Sequence, residues 1–293
     1  MRVNRMMTKK TIGVYSAIRQ GFCLYALCAF AMGPVPGWSQ ESEAYQRAER
    51  RFVNGGSVAD AIKKVKEGNF GGVTVEEIVY AGAVEAIPAL KEQFARSVDP
   101  SNKDDLDPGN KEELASALIR LGDKDEIYWD FLLKQATEAV DSDPPFPRDF
   151  DPKGKILKDH FSGAFLNWAK ARGLAPDEAG EIAVYRLPIK LGFLAKTGDP
   201  KGLPLLRRAM SSSNYMMAAM AAKGLAKLQD KDSIPLIIAA CQKSPGGAGA
   251  IAEALIFFDD PDAQAAADVY LPRDYANGLR ERRKVPGNDA FLY

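Results

Sequence analysis

The stretch Gly198–Met210, GDPKGLPLLRRAM, decides the fold class, because the same arrangement returns twice downstream. It recurs as QDKDSIPLIIAAC at Gln229–Cys241 and, more loosely, as DDPDAQAAADVY at Asp259–Tyr270. Asp199, Asp230 and Asp260 open the three units, so the spacings are 31 and 30 residues. A period of this size is the mark of stacked helical repeats. In the first two units a turn leads to an apolar residue and a proline, Leu203 with Pro204 and Ile234 with Pro235. Proline is tolerated in the first turn of a helix, where its missing N–H has no partner to lose. Each of these helices is followed by a second. The one after Ser213 carries Met217, Ala221, Gly224, Leu225 and Leu228 on one face, and the one after Gly249 carries Ile251, Leu255 and Phe258.

Outward from this core, apolar residues keep recurring at steps of three and four, and no segment alternates as a half-buried strand would. The chain therefore reads as all-α. Ser57 opens a helix that Gly68 ends, and Thr74 with Glu77 has the spacing of a capping box. Asn110 with Glu113 opens a helix whose face is Leu114, Ala117, Leu118 and Leu121, closed by Gly122. The next runs from about Asp125 to Val140, with Ile127, Phe131, Leu132 and Gln135 in step. GAVEAIPALKEQF from Gly82 repeats the first-helix pattern with Ile87 and Pro88, whereas RLGDKDEIYWDFLLKQ from Arg120 has the turn without the proline.

GDPKGLPLLRRAM, followed by the small-residue helix AAMAAKGLAKLQD, resembles HEAT repeats of the short bacterial type also found in bilin-lyase-like proteins. The resemblance covers residues 198–269 best. It implies an α-α superhelix of the HEAT/armadillo kind: right-handed stacks of antiparallel helix pairs, second helices lining the concave face, acting as scaffolds or binding surfaces. Two insertions, Val98–Gly109 and Asp141 to about Pro176, interrupt the period. The expected organisation is a signal peptide over 1–39, degenerate HEAT-like hairpins over 40–140, an irregular insertion rich in proline and aromatic residues over 141–176, and C-terminal HEAT-like repeats with a tail over 177–293.

The leader reading rests on order. A basic stretch precedes an apolar run, Gly21–Met32, and a polar exit through Pro34, Pro36, Gly37, Trp38 and Ser39. This is the layout of a secretory signal peptide, with cleavage expected after Ser39. The alternative is an uncleaved anchor, against which twelve apolar residues fall short of the ~20 that span a bilayer; no membrane span is expected once the leader is gone. Export to the periplasm or the medium follows. The formal charge of the 293-residue chain is +0, yet Arg2, Arg5, Lys9, Lys10 and Arg19 all lie in the leader. Without them 34 basic residues face 39 acidic ones, a net of −5, and no global field attracts nucleic acid. Cys23 and Cys28 leave with the leader, so Cys241 is the single remaining thiol, on a helical face with Ile234, Ile237 and Ile238. It reads as a small buried hydrophobe.

No catalytic, cofactor or metal constellation emerges. His160 is the only histidine, which denies the chain a His-rich zinc site or a proton relay, and its neighbours Lys158 and Asp159 suit an exposed position. The acidic clusters Asp104/Asp105/Asp107 and Asp259/Asp260/Asp262 lack the glycine register of a calcium loop and read as helix caps and solvated turns. The run Arg280, Arg282, Arg283 and Lys284 reads as a solvated helix end that suits the helix dipole. Pro144, Pro145, Pro147 and Pro152 mark the second insertion, but Phe146, Phe150, Phe161, Phe165 and Trp168 argue against disorder there. Phe146, Phe150 and Trp168 are the candidate contacts for a protein partner, since partly desolvated aromatics are the usual anchors of interfaces. The competing reading makes Phe161, Phe165 and Trp168 the buried face of a short helix. The expected function is a non-catalytic, exported scaffold or protein-interaction module of the bacterial envelope, its partner unidentified. The alternatives are an enzyme or enzyme chaperone like the lyase-related repeat proteins, and a structural spacer.

Overall fold

A computed structural model describes residues 57–96, 110–151, 153–155 and 161–284. Among these the regular structure is helical, with no β-strand beyond a lone bridge residue at Phe150. In chain order the α-helices are α1 (Val58–Lys66), α2 (Gly72–Tyr80), α3 (Ile87–Arg96), α4 (Asn110–Arg120), α5 (Glu126–Ser142), α6 (Gly163–Ala171) and α7 (Pro176–Glu181). A single π turn, Ile182–Arg186, leads straight into α8 (Leu187–Thr197). Then come α9 (Leu203–Ala209), α10 (Tyr215–Lys227), α11 (Ile234–Lys243), α12 (Ala248–Ala252), α13 (Pro261–Ala267) and α14 (Arg273–Arg283).

Successive helices pair, and the pairs form two layers. α1 packs on α2, α3 on α4, α5 on α8, α9 on α10 and α11 on α12. The second members also pack on one another in order: α2 on α4, α4 on α8, α8 on α10 and α10 on α12. One apolar core runs through both layers, from Val65 and Ile78 through Leu118, Leu132, Leu194 and Leu225 to Phe258 and Leu279. At the C-terminal end α13 and α14 cover the 3-10 segment Glu253–Phe257, and α14 turns a charged surface outward, burying only Ala276 and Leu279. A polar terminal helix is what lets a stack of repeats end without exposing its core.

The repeat is carried by one backbone junction that occurs three times among the described residues. A residue in the left-handed region ends a helix, one residue follows, three residues form a 3-10 turn, and the next helix starts with an apolar residue and proline. Gly82 (φ +63), Gly198 (φ +64) and Gln229 (φ +53) are the left-handed residues. The 3-10 turns are Val84–Ala86, Pro200–Gly202 and Lys231–Ser233. Pro88, Pro204 and Pro235 then lie at the second helical position. The turn packs the chain reversal into five residues, and proline fixes φ where no intrahelical donor is needed. Gln229 is a non-glycine in a conformation that costs most side chains about 1 kcal/mol or more. Its amide offsets this: Nε2 donates to the Ala226 carbonyl at 2.9 Å and the Phe257 carbonyl at 2.7 Å, while Oε1 accepts from the Asp259 N–H at 2.7 Å. Gln229 thereby ties one repeat turn to the next.

Small residues set how closely the layers approach. α10 buries Ala218, Ala219, Ala221, Ala222, Gly224 and Ala226, so it meets α8, α9 and α12 on three sides. Leu225 and Leu255 are both fully buried, as the sequence register requires. Ser57 caps α1 with a capping box to Asp60, and Gly68 follows the helix in the left-handed region (φ +71).

Four local expectations are corrected. α2 starts at Gly72 with Gly71 as its cap, so Thr74 lies inside the helix and makes no capping box with Glu77. The helix is entered three residues earlier than expected, and Gly72 there lies against Glu113: a Cβ at that position would come within 2.8 Å of its carboxylate. In α5, Ile127 is 56% exposed, and Tyr128, Trp129, Leu132, Gln135, Ala136 and Ala139 face the core instead. The buried stripe is rotated by one position because Tyr128 and Trp129 pack inward, Tyr128 edge-on to Phe94 with ring centres 4.9 Å apart. The helix expected after Gly249 already includes that residue, and from Glu253 it tightens to a 3-10 turn so that Leu255, Ile256, Phe257 and Phe258 are all buried. Finally, Arg280 and Arg283 are not free in solvent. Arg280 Nη2 donates to Asp268 at 2.7 Å and to the Gln264 carbonyl, and Arg283 pairs with Asp259.

Candidate functional site

A line of side chains runs across six elements, α2, α4, α8, α10, the 3-10 segment Glu253–Phe257 and α14. It begins on α2, where both oxygens of Glu76 accept from Arg120 Nη1 of α4 at 2.9 and 2.8 Å, and one also accepts from Lys196 Nζ of α8 at 2.9 Å. Burial opposes ionisation of Glu76, but the Lys196 and Arg120 charges outweigh it and hold the carboxyl below its ordinary value. Lys196 Nζ also lies 5.3 Å from the centre of the Phe193 ring. The line crosses to α10 where Met220 lies on Gly192: a Cβ there would meet its Sδ at 3.2 Å. One turn along, Lys223 Nζ is 3.5 Å from Glu253 Oε2, whose other oxygen accepts from the Tyr275 hydroxyl of α14 at 2.6 Å. Burial and this bond to a carboxylate both push the Tyr275 hydroxyl to a higher pKa.

These groups sit in shelter. The side chains of Arg120, Lys196 and Lys223 are 12%, 19% and 15% exposed, and Glu76 and Glu253 are 33% and 24% exposed. Phe193 beside Lys196 and Met220 on Gly192 are half-buried, as is Met216 one turn from Met220. The sequence reading did not single out any of these residues. Phe193 and Lys196, and Met216, Met220 and Lys223, are spaced at three and four residues on their helices, which was the one signal that could have found them.

The three residues chosen from the insertion separate into two groups. Phe146 and Phe150 stack with ring centres 5.4 Å apart, and Tyr215 at the start of α10 lies 4.5 Å from Phe146 and 6.1 Å from Phe150. Their seat is the turn before α12. A Cβ on Gly246 would fall 2.2 Å from the Phe150 ring, and one on Gly247 would fall 2.0 Å from Tyr215. The rings therefore lie directly on glycine backbone, and the insertion is fastened to the C-terminal repeats. Trp168 is elsewhere. It is 8% exposed in a separate small core with Phe165, Ala169, Ala179 and Ala183. Its Nε1 donates to the Ser142 carbonyl at 3.0 Å, and the Arg172 guanidinium covers its ring at 4.6 Å. Periodicity within α6 is satisfied by this packing, so Trp168 presents almost no surface to a partner. Phe161 precedes the helix and packs on Phe165 at 5.0 Å.

Cys241 and Asp260 are held in structural roles. Cys241 is buried, its Sγ 3.6 Å from the Ala248 carbonyl, and burial pushes the thiol up to about 12. A thiol so placed is not a nucleophile at neutral pH. Asp260 caps α13 by accepting from the Asp262 and Ala263 N–H groups. His160 and the acidic cluster at 104–107 lie outside the described residues. Among the described residues no group of three or more His, Cys, Asp or Glu side chains is placed to hold a metal. A cleft of about 480 Å³ is lined by Asp259, Gln264, Asn277, Arg280, Glu281, Arg283 and Lys284. Its cations are already engaged, Arg283 with Asp259, Arg280 with Asp268 and Lys284 with Glu281.

Residues 191–256 match the family of HEAT repeats. With the helical architecture, this match supports a HEAT-repeat protein, and repeats of this kind commonly mediate protein interactions. The matched stretch holds most of α8, all of α9–α12 and the second and third repeat junctions, and so contains the Phe193, Lys196, Met220 and Lys223 part of the line. No match to the chain was found among curated proteins or among solved structures. Among the described residues no helix is long and apolar enough to cross a membrane.

Proposed function

We propose that the protein is an exported, non-catalytic scaffold of the bacterial envelope, whose helix pairs continue as an α-α superhelix and whose second helices hold a protein partner. The observation that carries this reading is the sheltered line from Arg120 and Glu76 to Tyr275. It runs from α2 through α4 and α8, passes to α10 where Met220 lies on Gly192, and leaves Phe193 and Met220 half-buried along its middle. Repeats stacked in this way offer extended binding surfaces without any catalytic group. Among the described residues Cys241 is core, Asp260 caps a helix, and Glu76 and Glu253 tie helices together. Export rests on the basic, apolar and polar order of residues 1–39.

Two measurements test the reading. Mass spectrometry of the protein from the envelope fraction should find a mature chain beginning at Gln40; a chain retaining the residues before it would refute cleavage after Ser39. A photo-crosslinking amino acid at Met220 should capture a partner protein from that fraction, whereas the same group at exposed Ile127 on the other layer should not. Crosslinks from Ile127 alone would refute the placement on the second helices.

A further inference from the structure

We infer that the loop of residues 211–215, between α9 and α10, is a latch that holds both ends of the arm formed by α6 and α7, so that the arm and the first turn of α10 are released together. The inference stands on the contacts of this loop and needs no partner on the second helices. Where the arm ends, the chain runs from α7 through the π turn into α8 without a break. The Leu187 N–H donates five residues back, to the Ile182 carbonyl, and the next residue, Pro188, has no N–H to give. Neither residue therefore serves the Ala183 carbonyl. Asn214 supplies the donor from outside the helix: its Nδ2 donates to that carbonyl at 2.7 Å. Its Oδ1 accepts from the Met216 N–H at 3.0 Å and so caps α10, and the whole residue is buried. One side chain thus closes the π turn and starts α10.

The entry to the arm meets the same loop. α5 is closed by Asp143, a non-glycine residue in the left-handed region (φ +33), where an L side chain is strained. The Ser212 hydroxyl donates to Asp143 Oδ1 at 3.0 Å and accepts from the Asn214 N–H at 3.2 Å, which joins the two holds inside the loop. Tyr215 adds an apolar hold, its ring against Phe146 and Phe150. The arm itself is packed: Phe165, Trp168, Ala169, Ala179 and Ala183 form its small core, and Trp168 ties it back to the Ser142 carbonyl. A unit with its own core opens as a whole rather than residue by residue. A shift of the first turn of α10 that carries Asn214 away from Ala183 also pulls on Ser212 and Tyr215, so the C-terminal repeats and the arm are mechanically linked through this one loop. Such a shared element, biased from either side, is the physical means by which two regions become coupled.

Hydrogen–deuterium exchange of the mature full-length chain, read by mass spectrometry, tests the latch with two variants. Asn214→Ser keeps an oxygen that caps α10 but has no amide to give to Ala183. Ser212→Ala removes the hold on Asp143 and leaves the Asn214 side chain in place. Asn214→Ser should speed exchange by about tenfold at both 180–190 and 141–150, and Ser212→Ala by about threefold at both, the scale of one buried and one exposed hydrogen bond. Residues 72–80 of α2, which packs on α1 and α4, should exchange as in the parent. Acceleration confined in each variant to the end whose bond was removed would overturn the inference, because the two holds would then be independent. No acceleration at either end would overturn it as well, and so would equal acceleration throughout the chain, which is loss of global stability rather than release of an arm. If Asn214→Ser fails to fold, Ser212→Ala decides alone: its bond lies at the entry, so faster exchange at 180–190 supports the latch and unchanged exchange there refutes it.

Discussion

Gly224 and Gly278 are both interior helical glycines, and the same substitution at the two positions should have opposite signs. In an unhindered helix, replacing glycine by alanine stabilises by about 1 kcal/mol, because glycine has more backbone freedom to lose. At Gly278 of α14 a new Cβ would meet nothing within 4 Å. Gly278→Ala should therefore gain that amount and raise the melting temperature by about 2–4 °C for a chain of this size. At Gly224 of α10 the new Cβ would lie 2.7 Å from the Cβ and 3.2 Å from the Cα of Ala195, and 2.9 Å from Leu206 Cδ1. Carbon atoms pack at about 3.5–4.0 Å, so α8 and α10 would have to part by nearly 1 Å. Leu206 can rotate, but the Ala195 backbone cannot. Overpacking of this kind costs about 1–3 kcal/mol, which exceeds the helical gain at all but its lower limit. Gly224→Ala should be destabilising by up to about 2 kcal/mol, lowering the midpoint by up to about 8 °C. Differential scanning calorimetry of the three proteins side by side gives the answer. A Gly224→Ala chain that melts with or above the parent would refute the close approach of α8 and α10 on which the second layer is built.

Three further outcomes follow from the packing and the pairs. Leu225→Ala, at a fully buried position of α10, should cost about 2–5 kcal/mol in urea unfolding through lost burial and the cavity it leaves. Gln229→Ala keeps the left-handed backbone but removes three hydrogen bonds to Ala226, Phe257 and Asp259, and should cost about 1–3 kcal/mol by the same assay; a loss within experimental error would mean that solvent serves those groups equally well. Asp230 has a lowered pKa because Arg207 donates to it, against the opposing effect of burial, with help from Ser233. Its stabilisation is complete above the ordinary carboxylate value of 3.8 and is lost as pH falls through the lowered folded-state value, so Asp230→Asn should flatten the fall in stability measured below about pH 4.

What could be read from the residues in order was whatever depends on neighbours along the chain. The 30- and 31-residue period, the prolines at the second helical position, the core faces of α4 and α10 and the buried Cys241 are all local or periodic, since each follows from helix geometry at steps of three and four residues. The 3-10 turn in each junction was not legible, because Val84–Ala86, Pro200–Gly202 and Lys231–Ser233 share a backbone conformation rather than a sequence. Nor was the inward face of α5, where both Ile127 and Tyr128 are apolar and only the presence of Phe94 across the layer chooses between them.

The candidate site belongs wholly to this second category. Glu76 and Lys196 are 120 positions apart, and Lys223 meets Tyr275 only through Glu253. No local pattern can select one carboxylate for one lysine among 39 acids and 39 Lys and Arg side chains. The choice is made when α2, α4, α8 and α10 stack, because stacking removes water from between those side chains and brings Glu76 to Arg120 and Lys196, and Glu253 to Lys223. For the aromatic insertion, composition alone argued for order, while the tertiary structure divided its parts. Trp168 went into a small core because Ala169, Ala179 and Ala183 left room for a ring, and Phe146 and Phe150 went onto the C-terminal repeats because Gly246 and Gly247 have no side chain to keep a ring away.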